Sequence, residues 1–240
     1  MNNWPRILLA TPTADVKDYC IREWSYYVKH LTYPNLEILI VDNSIDPTYW
    51  KKIKSLGLPV VHYQPKKEDS INRTLLECNN ICRDYFLKGE YDFFFSLESD
   101  IFSGVNVIEH LLSFQKWVVG IPYFISQAYQ SQYMSFITED FGYIADSVPM
   151  TADQGFNFVD GTCKRTHELG LGAILIARWV IDMVPFRLDE SIDGAPDLFL
   201  HEDYHKKGIP VFVDTSTMAF HQNSNWNKVR AKHNERISKL

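Results

Sequence analysis

No apolar run in the chain approaches the roughly 18 residues that a membrane-crossing helix needs. The opening stretch, MNNWPRILLATPTAD, turns polar too early for a secretory leader, so the expected location is the cytoplasm. Cysteine is scarce: Cys20, Cys78, Cys82 and Cys163 form no CxxC pair, which argues against a zinc knuckle and against a disulfide framework. They are expected as reduced, mostly buried thiols. Basic charge is not in excess either, with 24 Lys and Arg against 30 Asp and Glu and a net charge of -6, which disfavours a generally basic nucleic-acid binder. GxGxxG and GxxxxGK[ST] are both missing, so dinucleotide-binding and P-loop readings fail at the residues they require. Low-complexity tracts and repeats are absent. With 45% hydrophobic residues in 240, the chain is able to bury one sizeable core.

What is present is an alternation of two periodicities. Arg6–Thr11, Leu36–Val41, Val60–Tyr63 and Tyr91–Leu97 are short apolar runs that suit buried strands. Between them, Lys17–Leu31, Thr48–Leu56 and Ser70–Leu87 carry helical spacing. Gly57 and Gly89 stand at the stops, and Ser70 has the residue type and place of an N-cap. Four strands with three helices between them predict βαβ units and a central, mainly parallel sheet in a single α/β domain. After Gly104 the rhythm changes. Trp117–Pro122 reads as a strand, Tyr123–Thr162 as loops and hairpins, Ala177–Val184 and Asp197–Lys207 as helices, and Pro210–Asp214 and Met218–His221 as strands. Gly170-Leu171-Gly172 reads as a close-packing turn.

In an open parallel sheet, ligands bind beyond the carboxyl ends of the strands. Three strands end there in polar residues: Thr11-Pro12-Thr13, Asp42-Asn43 and Glu98-Ser99-Asp100. Two carboxylates separated by one residue can hold a hard divalent cation that also grips phosphate oxygens. An acid-x-acid triplet on its own is most often a solvated loop; what raises this one is its place directly after the very apolar FFFSL.

ILLATPT, LEILIVDNS and KGEYDFFFSLESD, taken in order, resemble the nucleotide-binding motifs of family 2-like glycosyltransferases with the GT-A fold. PDLFLHEDYHKKGIPVFVDTSTMAFH is similar to that family's acceptor-side helix, glycine, strand and terminal histidine. The resemblance spans about residues 6–221, except 123–169. It implies a GT-A catalytic domain over 1–225, with a nucleotide-sugar half (1–104) and an acceptor half (105–225). It also implies a metal-dependent, inverting transfer from a nucleotide-diphosphate sugar, with uracil the common base. By position, Thr11 and Pro12, with Thr13 beside them, resemble the first-strand contact to the nucleoside. Asp42, followed by Asn43, resembles the acid facing the base, and Arg73 and Asn80 lie on the helix lining that pocket. Glu98, Ser99 and Asp100 resemble the DXD motif, with Glu in the first place. Asp100 and His221 resemble the protein ligands of Mn²⁺ or Mg²⁺. Asp197, eleven residues before Gly208, resembles the catalytic base, with Pro196 standing where the family has a second acid. Asp189, Glu190 and Asp193 lie just upstream and compete for that role. The resemblance implies a nucleotide-sugar donor and leaves the acceptor open among a saccharide, a lipid-linked glycan, a protein and a modified nucleic acid.

Two further readings compete. His201-Glu202-Asp203-Tyr204-His205 satisfies HExxH, the pattern of zinc hydrolases, in which two histidines on one helical face bind the metal and the glutamate is the base. Against it, the place of a third histidine is Val211, and the following IPVFVDTS reads as a strand. A solvated charged helix face explains those residues more simply. The other reading is a non-catalytic protein that binds nucleotide sugars. Trp226–Leu240 holds five Lys or Arg against Glu235, a net +4 that leaves -10 on the first 225 residues. This basic tail (226–240) suits peripheral contact with anionic lipid, cover for a diphosphate, or simply a solvated helix end. Tyr123, Tyr129, Tyr133, Phe136, Phe141 and Tyr143 are residue types that stack on sugars, though aromatics in hairpins more often fill a core.

Overall fold

The computed structural model describes residues 4–125, 136–137, 159–189, 191–192 and 194–222. Strand β1 (Ile7–Thr13) leads through a 3-10 turn (Asp15–Lys17) to helix α1 (Ile21–Lys29). Next come β2 (Leu36–Asp42), α2 (Thr48–Ser55), β3 (Val60–His62), α3 (Ile71–Lys88) and β4 (Phe93–Leu97). The second half contains β5 (Ile101–Phe102), α4 (Val107–Ser113), β6 (Val118–Gly120), β7 (Phe136–Ile137), β8 (Cys163–Thr166) and β9 (Glu168–Leu169). It continues with β10 (Ala173–Ala177), α5 (Arg178–Met183), α6 (Pro196–Lys206), β11 (Val211–Asp214) and β12 (Phe220–His221).

Eight strands form one sheet in the order β3-β2-β1-β4-β10-β6-β11-β8. The β3-β2-β1-β4 half is wholly parallel, as the alternation predicts, and β6-β11 is parallel as well. Strand β10 runs antiparallel between β4 and β6, and β8 runs antiparallel beside β11. The sheet is sandwiched because β1 is buried on both faces. Leu8 and Ala10 join Leu39, Leu76, Phe86, Ile174, Val180 and Leu200 in a core beneath α3, α5 and α6. Ile7 and Leu9 join Trp24, Ile40, Ile53, Phe95 and Leu111 in a core beneath α1, α2 and α4. Burying each such side chain contributes about 1.5–3 kcal/mol, so these alternating contacts hold β1 and β4 in register at the middle of the sheet.

Local signals act as the sequence suggests at several ends. The Ser70 hydroxyl accepts the Arg73 amide at 3.0 Å and caps α3. Gly57 ends α2 with φ at +73°, a conformation that favours glycine. The other end of α3 is held by Arg178, whose guanidinium donates to the carbonyls of Leu87, Gly89 and Tyr91 at 2.8–3.0 Å.

Three expectations need correction. The helix expected over Lys17–Leu31 is split into the 3-10 turn and α1: the Ser44 hydroxyl accepts the Asp15 backbone amide at the start of the turn, and between the two pieces the Cys20 thiol donates to the Ser99 carbonyl. The strand expected over Met218–His221 is only Phe220–His221, paired with Phe102 and Ile101. The helix expected from Ala177 to Val184 is Arg178–Met183, because Ala177 ends the buried antiparallel strand β10. All four cysteines are free thiols, and burial pushes Cys20 and Cys78 up to about 12. No described helix is long and apolar enough to cross a membrane.

Candidate active site at the carboxyl edge of the sheet

Strands β1, β2 and β4 run parallel, so their polar endings meet at one edge. The Glu98-Ser99-Asp100 turn is fixed by four separate segments. The Glu98 amide donates to the Gly172 carbonyl at 3.0 Å, and the Ile101 amide closes the turn onto the Glu98 carbonyl. The Ser99 hydroxyl shares a 2.8 Å hydrogen bond with Thr13, and the Ser99 carbonyl takes the Cys20 thiol at 3.2 Å. Immediately after the triplet, β5 pairs with β12, placing His221 opposite Ile101, while the Gln222 amide donates to the Asp100 carbonyl at 2.8 Å. A two-residue ladder thus carries a histidine from the end of the described chain to the acid that follows β4.

Asp100 is fully buried. Its Oδ2 accepts from the Lys17 ammonium and from the Tyr19 hydroxyl at 3.0 Å and lies 3.1 Å from His221 Nε2, while its buried Oδ1 meets no donor among the described residues. Burial pushes this carboxyl up, but the His221 bond and the Lys17 charge outweigh it and hold the group well below the usual carboxylate range. For His221 the balance is reversed in sign: burial pushes the imidazole down, and the bond to Asp100 with the charges of Asp100 and Glu98 raises it. Its Nδ1 lies 2.8 Å from the Phe124 carbonyl, which fixes the N–H there and turns Nε2 toward Asp100. Glu98 is half-buried and raised, first by desolvation, with Lys17 opposing; the charges of Asp100 and Asp197 add to the rise.

One ligand atom from each of Glu98, Asp100 and His221 lies within 4.8 Å of the others, the one such group of three among the described residues. Two carboxylates and an imidazole with its far nitrogen already committed to a carbonyl suit a divalent cation such as Mn²⁺. The unpartnered Oδ1 of Asp100 is the buried acceptor that such an ion would satisfy.

Asp197 stands in the first turn of α6, half-buried, with its own carboxylate taking the Leu198 amide at 3.1 Å. Burial raises its carboxyl, and its charge in turn raises Glu98 and Tyr123. Tyr123 packs edge-on against the His221 ring with centroids 5.6 Å apart and accepts the Gly172 amide at 3.0 Å. Of the rival acids, Asp189 accepts from the Ser191 amide and hydroxyl within its own loop, and Glu190 and Asp193 lie outside the described residues.

On the neighbouring strand, Asp42 is the register partner of Thr13. It is fully buried, with Oδ1 taking the Ser44 amide and hydroxyl and Oδ2 facing His62 Nδ1 at 2.7 Å. Burial raises its carboxyl against those bonds. The Asn43 amide donates to the Thr13 carbonyl at 2.8 Å, and its side chain reaches the Cys78 thiol at 3.5 Å. The buried Thr11 hydroxyl donates to the half-buried Pro12's carbonyl at 3.2 Å. Asn80 is half-buried on α3. Arg73 is exposed and paired with Glu77 at 2.8 Å on the same helix. Sequence reasoning passed over Lys17 and Tyr19, which lie more than 80 positions from Asp100 and carry no local signal.

The HExxH residues have other partners. His201 is buried, with Nε2 2.5 Å from the Leu169 carbonyl, and burial lowers it to about 4. The Leu169 amide lies 3.4 Å from the same nitrogen, which cannot accept there while donating to the carbonyl; the shorter contact sets the tautomer. His205 Nε2 lies 2.8 Å from the His167 carbonyl, and Glu202 pairs with Arg187 and Lys206. Both imidazoles hold the β8–β9 segment to α6, and among the described residues they form no metal-holding group with an acid. The basic tail, 226–240, lies outside the described residues, as do the side chains of Tyr129, Tyr133, Phe136, Phe141 and Tyr143.

No family model and no curated protein matches the chain. Among solved structures, GalNAc-T7 with UDP, GalNAc and Mn²⁺ superposes with a TM-score of 0.60 at 14% identity, covering 92% of this chain and 44% of that one. The mannosyltransferase PcManGT from Pyrobaculum calidifontis, in complex with GDP-Man and Mn²⁺, gives 0.58 at 14% identity, covering 97% and 62%. S. aureus TarS gives 0.57 at 13% identity, covering 95% and 39%. The chain spans less than two thirds of each of these structures. A sheet of parallel strands closed by β10 and β6, with its polar edge beside β12, is therefore the GT-A fold.

Proposed function

We propose that this chain is a metal-dependent, inverting glycosyltransferase that moves a sugar from a nucleotide diphosphate, with UDP the expected carrier, to an acceptor hydroxyl. The observation that carries the reading is the meeting of Glu98, Asp100 and His221 at the carboxyl edge of the sheet. GalNAc-T7, crystallised with UDP and Mn²⁺, supports the reading through its fold.

Asp100, His221 and Glu98 would hold the divalent ion, Mn²⁺ or Mg²⁺. When bound, that ion neutralises charge on the departing diphosphate. The 1–104 half receives the nucleotide: Thr11, Pro12 and Thr13 at the end of β1, and Asp42 and Asn43 at the end of β2, flank the base and ribose. The 105–225 half receives the acceptor. Asp197 accepts the proton of the acceptor hydroxyl as its oxygen attacks the anomeric carbon from the side opposite the leaving group. Gly172 allows Tyr123 to pack close, since a Cβ on Gly172 would lie 2.5 Å from its hydroxyl; the same backbone segment carries the carbonyl that holds Glu98.

A thermal-shift screen of nucleoside diphosphates with and without Mn²⁺ tests this reading, because a ligand that binds the native state raises the melting temperature. UDP with Mn²⁺ is expected to stabilise the protein, and Asp42→Ala to weaken that shift. Absence of stabilisation by every nucleoside diphosphate at millimolar concentration contradicts the reading.

A further inference from the structure

Lys17 is the unexpected cation of this site. It ends the 3-10 turn that follows β1, a turn pinned by the Ser44 hydroxyl at Asp15, and its ammonium bonds Asp100 Oδ2. The ammonium is thus on the same carboxylate whose unpartnered Oδ1 would ligate a divalent ion, and two cations on one buried carboxylate repel each other. A lysine ammonium is a compact charge on a flexible four-carbon stem, able to leave one anion for another nearby. The other anion that the proposed reaction brings to this edge is a diphosphate.

We propose that Lys17 couples metal binding to donor binding: its ammonium is the resident counter-charge of Asp100, a divalent ion displaces it, and it then pairs with the diphosphate of the incoming nucleotide sugar. This rests on the reading given above. Its thermodynamic consequence follows from linkage. Metal alone binds weakly because it must expel a cation from a buried carboxylate. Metal with nucleoside diphosphate binds far better, because the expelled ammonium acquires a new partner, and the enhancement is reciprocal. Tyr19 donates to the same oxygen without charge and has no such effect.

The test is calorimetric titration of Mn²⁺ into the full chain, with and without saturating UDP, for wild type, Lys17→Gln, Lys17→Arg and Tyr19→Phe. Lys17→Gln is expected to bind Mn²⁺ alone about tenfold more tightly than wild type, and to show an enhancement by UDP about tenfold smaller. Lys17→Arg retains the wild-type pattern, and Tyr19→Phe stays within about twofold of it. In chelator, Lys17→Gln melts below wild type, and saturating Mn²⁺ removes most of that difference. The inference is overturned if Lys17→Gln, folded by circular dichroism, binds Mn²⁺ no more tightly, or if UDP enhances binding as much as in wild type. An equal gain in Tyr19→Phe overturns it too, because the effect would then be loss of a contact and not of a charge. Should the glutamine variant not fold, Lys17→Met gives the same neutral side-chain length. Wild type and Asp100→Ala binding Mn²⁺ equally instead removes the metal site itself, a failure distinct from the first.

Discussion

Replacing His201 with glutamine separates a structural histidine from a zinc ligand. His201 is 1% exposed, and burial lowers its imidazole from 6.5 to about 4. Between those values the unfolded chain binds a proton that the native chain refuses. Its contribution to stability is therefore fully present above the unfolded value and is lost as pH falls toward the folded one. At about 1.36 kcal/mol per pH unit, the full loss is about 3 kcal/mol, of which about 2.5 kcal/mol is reached by about pH 4.5. Glutamine keeps an N–H donor for the Leu169 carbonyl and does not titrate. Urea unfolding at about pH 7 and about pH 4.5 should show the wild type losing about 2.5 kcal/mol more than His201→Gln, since other groups titrate in both chains. Equal losses in the two chains would refute the reasoning. So would zinc retained stoichiometrically by wild type and lost when His201 and His205 are replaced, which would return HExxH to a catalytic role.

Three other changes probe the account at different depths. Asp197→Asn keeps size and removes the proton acceptor, so transfer should slow by ~10²–10⁴-fold while donor affinity stays within a few-fold, measured as turnover beside UDP-sugar binding. Near-normal transfer by that variant, with a collapse in Asp193→Asn, would move the base upstream. Gly172→Ala should cost about 1–3 kcal/mol in urea unfolding and weaken Mn²⁺-dependent UDP binding, because the added Cβ meets the Tyr123 ring that packs on His221. Ser70→Ala should cost about 1 kcal/mol through loss of the cap on α3, and a change below the resolution of unfolding would mean that the cap is idle.

The parallel half of the sheet was legible because its signals are local. Apolar runs at β1, β2 and β4 end in polar residues, helical spacing fills the gaps, and Ser70 and Gly57 mark element ends. The Glu98–Asp100 triplet and His221 were also named from sequence, through position in recognisable segments. Their meeting was not visible residue by residue, because it depends on a two-residue ladder between β5 and β12 across more than 100 positions. Strand β10 was missed for a related reason. Ala173–Ala177 is buried throughout, so it lacks the alternation that marks a half-exposed strand, and only its neighbours β4 and β6 make it one. Arg73 lies on the helix the spacing predicts, where its side chain pairs with Glu77 along the exposed face. HExxH was expected as a solvated helix face, yet His201 is buried on the Leu169 carbonyl and His205 lies on that of His167, partners no spacing pattern reveals.

The central claim is that Asp100 holds a divalent ion on which nucleotide binding depends. Calorimetric titration of UDP into wild type and Asp100→Ala, each in Mn²⁺ and in chelator, addresses it most directly. The account predicts tight binding only by wild type in Mn²⁺, with chelator and Asp100→Ala each abolishing it. UDP binding that is equal in chelator and in Mn²⁺, or Mn²⁺-dependent binding that survives in Asp100→Ala, would contradict it.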